Sequence, residues 1–289
     1  MKKILAVSGG VDSMVMLAMI LEKCPASEVV VATFNHGTRE TSAEDAHFVE
    51  RICQERGVNC VMGQANLGPS ASEETARKAR YNFLRQVAFE ERGEIYTAHH
   101  LDDLAESITI NFVRGTGFRG LAPMSSVGIR RPFLDGFFSP NEFGFPAFDR
   151  RAILRYAAEH DISFRQDPTN VSPNFLRNRV RDITFNLPLK TKLEIFQLWQ
   201  KQRHIVKEID DIIESILPED LRFFRATFQE TEREVGLELL RGGLLRAGIS
   251  ATGQKTNEFY DAILCYAPGK SFNLPNTRLI KLNKKDFML

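Results

Sequence analysis

Cysteine is scarce in this chain: Cys24, Cys53, Cys60 and Cys265 are the only four in 289 residues, with no C-x-x-C pair and no regular spacing. That excludes a disulfide framework and a cysteine-based zinc site. Long apolar runs are missing as well. The stretch that follows Met1-Lys2-Lys3 breaks at Ser8, and nothing approaches the ~20 residues needed to cross a bilayer, so no membrane partner and no signal peptide are expected. A soluble protein of the reducing cytoplasm is the expectation. Nor does one sign of charge dominate, since 38 Lys and Arg face 37 Asp and Glu for a net charge of +1. The charges are nevertheless segregated: residues 149–207 carry 12 basic against 6 acidic side chains, and residues 208–238 carry 3 against 10. A basic middle segment suits a polyanion, with the acidic block turned away from it.

What is present is an alternation of short apolar runs and helical patterns over the first ~130 residues, the order of a parallel sheet covered on both faces. Strands are expected at 4–7, 29–35, 58–62 and 95–98, each short and apolar as buried parallel strands are. Ser42 with Asp45 reads as a capping box opening a helix to about Arg56, stopped by Gly57, and Ser70 with Glu73 opens another that ends near Gly93. A further helix is expected at about 150–160. Apolar residues at helical spacing from Leu189 to Ile216 predict a long amphipathic helix ended by Pro218, and the tail reads as a small helical piece with strands around "RLIKL". The fold class is therefore α/β: a doubly wound parallel sheet over residues 1–188, and a smaller, mainly helical domain over residues 189–289.

The stretch "ILAVSGGVDSMV" runs a strand into Ser8-Gly9-Gly10 and then into a helix. Glycines let the backbone approach a phosphate, successive N–H groups form an anion nest, and the helix dipole adds positive potential. Ser8 and Ser13 add hydroxyl donors. Asp12 would be repelled by phosphate unless it serves a divalent cation or a developing charge. The loop lacks the G-K-[ST] ending of a Walker loop. A second charged cluster, "AHHLDDLAESI", follows the fourth strand at its carboxyl end, where open α/β sheets bind ligands. With a helix starting at about Leu101, Asp102 and Glu106 stand at i and i+4 on one face and suit an ammonium, which must lose a proton before its nitrogen can attack. His99, His100, Asp102 and Asp103 are alternatively metal ligands, although no other His/Asp cluster completes such a site. "GTGFRG" satisfies G-x-G-x-x-G in letters only, because a helical pattern precedes it and Leu-Ala-Pro follows.

"SGGVDS" is similar to the S-G-G-x-D-S signature of the PP-loop ATP pyrophosphatases, which split ATP between its α- and β-phosphates. With "FNHGTR", "SEETARKARYNFL", "AHHLDDLAESI", "RGTGFRGLAPM", "DPTN" and "FLRNRVR", the first ~190 residues resemble the tRNA(Ile)-lysidine synthetases. The tail resembles them only loosely. This resemblance implies ATP and Mg²⁺ as cofactors, and free L-lysine and tRNA(Ile) with a CAU anticodon as partners. The reaction it implies is adenylation of the wobble cytidine followed by attack of the lysine ε-amine.

It implies an ATP site at Ser8, Gly9, Gly10, Asp12, Ser13, His36, Arg114 and Gly115, with Asp12 also at the metal. Catalysis would fall to Asp12, Asp102, Asp103 and Glu106, the last three binding lysine, and tRNA contacts to Arg177, Asn178, Arg179 and Arg181. A homodimer stays open. Three departures stand out: Leu104 where the family usually has Gln, Ser107 where it has Thr, and about a dozen extra Phe-rich residues after Pro132, read as packing or base stacking. Thiolation, the nearest alternative on such a loop, normally needs paired cysteines that the spacing of Cys53 and Cys60 does not provide. A non-catalytic nucleotide-binding protein is the alternative from another class.

Overall fold

The structure, a computed structural model, describes residues 1–35, 42–65, 68, 72–126, 128–136, 147–165, 176–275 and 278–289, with the backbone alone at 42, 43, 73 and 176–178. Two compact units emerge, Met1–Trp199 and Gln200–Leu289.

In the first unit the apolar runs become β1 (Lys2–Ala6), β2 (Val29–Asn35), β3 (Asn59–Gln64) and β4 (Gly93–Tyr96), joined by a two-residue strand, β5 (Ile129–Arg130). All pair in parallel in the order β3-β2-β1-β4-β5. Because alternate residues point to opposite faces, Leu5 and Val31 enter one core and Ile4 and Val30 the other. The first face is covered by α1 (Val11–Lys23), α2 (Ser42–Glu55) and α5 (Arg150–Glu159), the second by α3 (Glu73–Glu90). Each fully buried Leu, Ile or Val in these layers contributes about 1.5–3 kcal/mol. Gly93 lets β4 hug β1, since a Cβ there would stand 2.7 Å from the Lys2 carbonyl oxygen.

From β1 the chain winds one way to β2 and β3, then crosses β1 to place β4 on its other side. That reversal opens a crevice at the carboxyl ends of β1 and β4, where doubly wound sheets hold their ligands. Both charged motifs of the sequence leave the sheet there. After β4 comes α4 (Leu101–Val113), whose Leu101 and Leu104 pack with Leu193, Phe196 and Trp199 from the first turns of α7 (Leu189–Ile216). Leu104 is thus a core residue. Between them in sequence, α6 (Leu176–Asn186) lies against α4.

Ser72, rather than Ser70, caps α3, accepting the Thr75 N–H at 3.1 Å; Ser70 lies outside the described residues. Of the Phe-rich segment, Phe133 and Phe148 are core residues with ring centroids 5.5 Å apart, and Phe137, Phe138, Phe143 and Phe145 fall outside the described residues. Glycine-led "GTGFRG" follows α4 and leads into a 3-10 turn at Phe118–Leu121, as its rejection as a dinucleotide fingerprint requires.

The second unit packs α8 (Arg225–Glu230), α9 (Arg233–Arg246) and α10 (Gly253–Cys265) with two antiparallel pairs. The pairs are β6 (Arg222–Phe224) with β9 (Asp286–Met288), and β7 (Ser271–Leu274) with β8 (Arg278–Lys281). Phe223, Phe228, Phe259 and Phe287 form its centre. Among the described residues no helix is long and apolar enough to cross a membrane.

Candidate active site

The loop after β1 takes its shape from Gly9, at φ +84°, a left-handed conformation that costs any other residue about 1–2 kcal/mol. Gly10 then caps α1 with no side-chain hydrogen bond, so the first-turn N–H groups are left for an acceptor from outside the helix. Ser13 donates its hydroxyl to the Gly10 carbonyl at 2.9 Å, and the Ser8 and Ser13 hydroxyl oxygens stand 3.4 Å apart. Across the loop, the Arg165 N–H donates to the Gly9 carbonyl at 2.8 Å while its guanidinium holds Glu44 and Asp45 at 3.0 and 3.2 Å. The nest is therefore braced from two sides.

Asp12, in the first turn of α1, has two unlike oxygens. Its Oδ2 accepts from the Arg150 guanidinium at 2.6 Å, whereas its Oδ1 is buried without a hydrogen-bond partner, 3.6 Å from His100 Nε2. An orphaned carboxylate oxygen beside a phosphate nest fits a divalent cation. Mg²⁺ commonly takes one or two carboxylates and completes its shell with phosphate and water, so a full protein cage is not required. Among the described residues there is no group of three or more His, Cys, Asp or Glu arranged to hold a metal.

On the β4 side, the His100 N–H donates to Asp103 Oδ2 at 3.0 Å, half of a capping box at the head of α4. The buried His100 ring lies among three carboxylates: Asp103 at 3.4 Å, and Asp102 and Asp12 at 3.6 Å each. Burial works against its charge, but Asp103, Asp102 and Asp12 outweigh that and raise its pKa to about 9. His99 goes the other way, to about 4, chiefly through burial with Arg131, Arg77 and Arg80 adding to it; its Nδ1 lies 2.9 Å from the Thr97 hydroxyl. Burial likewise disfavours the Asp103 carboxylate, yet the neighbouring His100 and His99, the His100 N–H and Arg181 keep its pKa below the ordinary value. Asp103 remains a third exposed.

Asp102 is placed differently from the sequence expectation. Its Oδ1 accepts from Lys192 Nζ at 2.7 Å and its Oδ2 from the Arg150 backbone N–H at 2.8 Å, and it is buried. Burial alone would raise its pKa, but His100, Lys192 and the Arg150 N–H bring it down to about 2. Both oxygens of Asp102 are thus engaged inside the protein. Glu106, one turn on, is buried and accepts from Arg181 Nε of α6 at 3.4 Å.

Around the loop, then, the described cations Arg150, Lys192 and His100 face the carboxylates of Asp12, Asp102, Asp103 and Asp149. Sequence reasoning missed Arg150, Asp149 and Lys192. Lys192 left a signal: with Phe196 and Trp199 it stands at i, i+4 and i+7 on the stripe that packs inward.

Other expected residues are not brought here. Arg114 and Gly115 sit at the far end of α4, about 18 Å from Asp102 at 1.5 Å per residue, and are exposed. Arg179 is exposed on α6; the side chains of Arg177 and Asn178, His36 and the "DPTN" stretch lie outside what is described.

Over 189 residues the chain is 34% identical to the tRNA(Ile)-lysidine synthase of Thermosipho africanus (strain TCF52B), covering 62% of this chain and 42% of that protein. It is 29% identical over 245 residues to the tRNA(Ile)-lysidine synthase of Thermotoga sp. (strain RQ2), covering 79% of this chain and 56% of that one. The chain thus spans about half the length of the curated relatives it matches. In fold it resembles the U34-tRNA thiolase NcsA from Methanococcus maripaludis with its [4Fe-4S] cluster, at TM-score 0.55 and 19% identity over 71% of this chain and 72% of that one. The family model of the PP-loop domain matches residues 1–187, the part of the chain that carries the glycine loop, the parallel sheet and its crevice. By that match and that architecture, the chain belongs to the PP-loop domain family.

Proposed function

We propose that this chain acts as a tRNA(Ile)-lysidine synthetase, a carbon–nitrogen ligase of the cytoplasm that uses ATP, Mg²⁺, free L-lysine and tRNA(Ile) with a CAU anticodon. The observation that carries this reading is the meeting, at one crevice, of a phosphate nest with carboxylates able to take an amine. In this reading the loop from Ser8 to Ser13 holds the β- and γ-phosphates of ATP as the wobble cytidine's ring carbonyl oxygen attacks the α-phosphate and pyrophosphate leaves. Asp12, through its unpartnered Oδ1, would hold Mg²⁺, and the ion would supply charge to offset the phosphates. Arg150 keeps the other oxygen of Asp12 fixed, so the carboxylate is oriented before ATP arrives.

The second step needs a neutral ε-amine near the activated ring carbon. Asp103, partly exposed, and Glu106, buried beside Arg181, receive the lysine ammonium in this scheme and one of them takes its proton. The nitrogen bonds to the ring carbon as the bond to the adenylated oxygen breaks, releasing AMP. Arg179, with Arg177 and Asn178 beside it in sequence, supplies phosphate contacts on the basic segment. Residues 189–289, the small C-terminal domain with its long linking helix, are assigned an accessory tRNA-contacting role.

Sulfur transfer is less well supported, because Cys53 is a buried core residue of α2 and Cys60 belongs to β3, two strands from β1. The test is incubation of the purified chain with labelled lysine and a tRNA(Ile) transcript bearing CAU. ATP-dependent incorporation with one pyrophosphate per lysine is expected; label that stays free under every ATP and Mg²⁺ condition would end the reading.

A further inference from the structure

A lysine shut away from water needs an explanation. The Lys192 side chain is fully buried, and an ammonium removed from water is costly unless acceptors surround it. Three elements provide them: Asp102 Oδ1 of α4 at 2.7 Å, Asp149 Oδ2 at 3.2 Å and the Phe185 carbonyl of α6 at 3.3 Å. Asp149 caps α5, accepting the Ala152 N–H at 2.9 Å. The next residue, Arg150, gives its backbone N–H to Asp102 and its guanidinium to Asp12. An unbroken line of contacts therefore leads from a lysine of the long helix to the carboxylate in the phosphate loop.

We propose that Lys192 is a positioning residue: its buried ammonium fixes Asp102 and Asp149, and through them the Arg150–Asp12 pair, making Asp102 a support rather than the receiver of the substrate amine. Lys192 itself meets no substrate. If it merely filled the junction of four helices, its loss would lower stability without selectively weakening nucleotide binding. If Asp102 received the amine, its own loss would be felt first in the affinity for lysine.

The test compares the full-length K192M, D102N and K192M/D102N variants with the parent, each first checked by thermal unfolding. ATP affinity is measured by calorimetry and lysine incorporation by kcat and KM; only the second readout rests on the lysidine reading. D102N keeps the Lys192–Asp149 contact and an amide oxygen for the Arg150 N–H, so ATP affinity and the KM for lysine stay within about threefold. K192M leaves Asp102 buried without its cation, and ATP affinity falls about 10–100-fold with kcat while the lysine KM holds. The double variant removes the unpaired Asp102 charge but leaves Asp149 without its cation, so ATP affinity recovers only in part, to between the K192M and D102N levels. Should K192M fail to fold, D102N and the double variant still decide.

A lysine KM raised tenfold or more in D102N would overturn the proposal, as would undiminished ATP affinity in K192M or a double variant no better than K192M. A parent chain that binds ATP but incorporates no lysine would remove the lysidine reading and leave the ATP arm to judge Lys192 alone.

Discussion

Replacing His100 by glutamine tests the electrostatics of the crevice without ATP or RNA. In the folded chain its pKa is raised from 6.5 to about 9 by the carboxylates of Asp103, Asp102 and Asp12, against the effect of burial. Below about pH 6.5 the ring is charged in both folded and unfolded chains, and its contribution to stability is complete. Above about 9 it is neutral in both, and the contribution is gone. Across that interval, at about 1.4 kcal/mol per pH unit, the folded state loses about 3 kcal/mol. Asp102 does not confuse the result, because its pKa of about 2 moves its own transition to below about pH 4. Urea unfolding followed by the fluorescence of Trp199, the only tryptophan and a buried one, reports on the first unit. The stability difference between the parent and His100→Gln should shrink by about 3 kcal/mol from pH 6 to pH 9.5. A difference that stays level, or grows with pH, would refute the assignment of a charged His100 between these carboxylates.

Other consequences follow from single side chains. Asp12→Ala should leave pyrophosphate release undetectable in a coupled assay while far-ultraviolet circular dichroism keeps its parent shape, since Asp12 manages charge rather than core packing. Leu104→Ala should lower stability by about 2–5 kcal/mol in urea, a cavity effect in the packing with Leu193 and Trp199. Arg179→Ala should weaken tRNA binding in filter assays, and flatten its salt dependence by about one ion, with calorimetric ATP affinity unchanged.

Much of this architecture is legible in the chain because buried parallel strands announce themselves as short apolar runs, as β1 and β2 do, while β3, at the sheet edge, shows only its short apolar centre. β5 shows no such run: Ile129–Arg130 is two residues, one of them charged, and its place beside β4 is set by the sheet rather than by its own pattern. The phosphate loop is legible because it is local, a strand, two glycines and a helix start in one stretch. The acid pair is only half legible. Helical spacing correctly brings Asp102 and Glu106 to successive turns of α4, but it cannot show that a lysine 90 residues later captures Asp102, or that Asp103 turns back to the His100 N–H. Partners that distant are chosen by tertiary packing, and the one local hint is a lysine on an apolar stripe. The departure at Leu104 is a buried residue of the core between α4 and the start of α7.

The most direct measurement is ATP-dependent transfer of labelled lysine to the tRNA(Ile) transcript, located by nuclease digestion and mass spectrometry. The account predicts one lysine per tRNA, on the first anticodon base, with an equal yield of AMP, and no transfer by the Asp12→Ala variant. Lysine found on another nucleotide, or transfer that persists without Asp12, would contradict it.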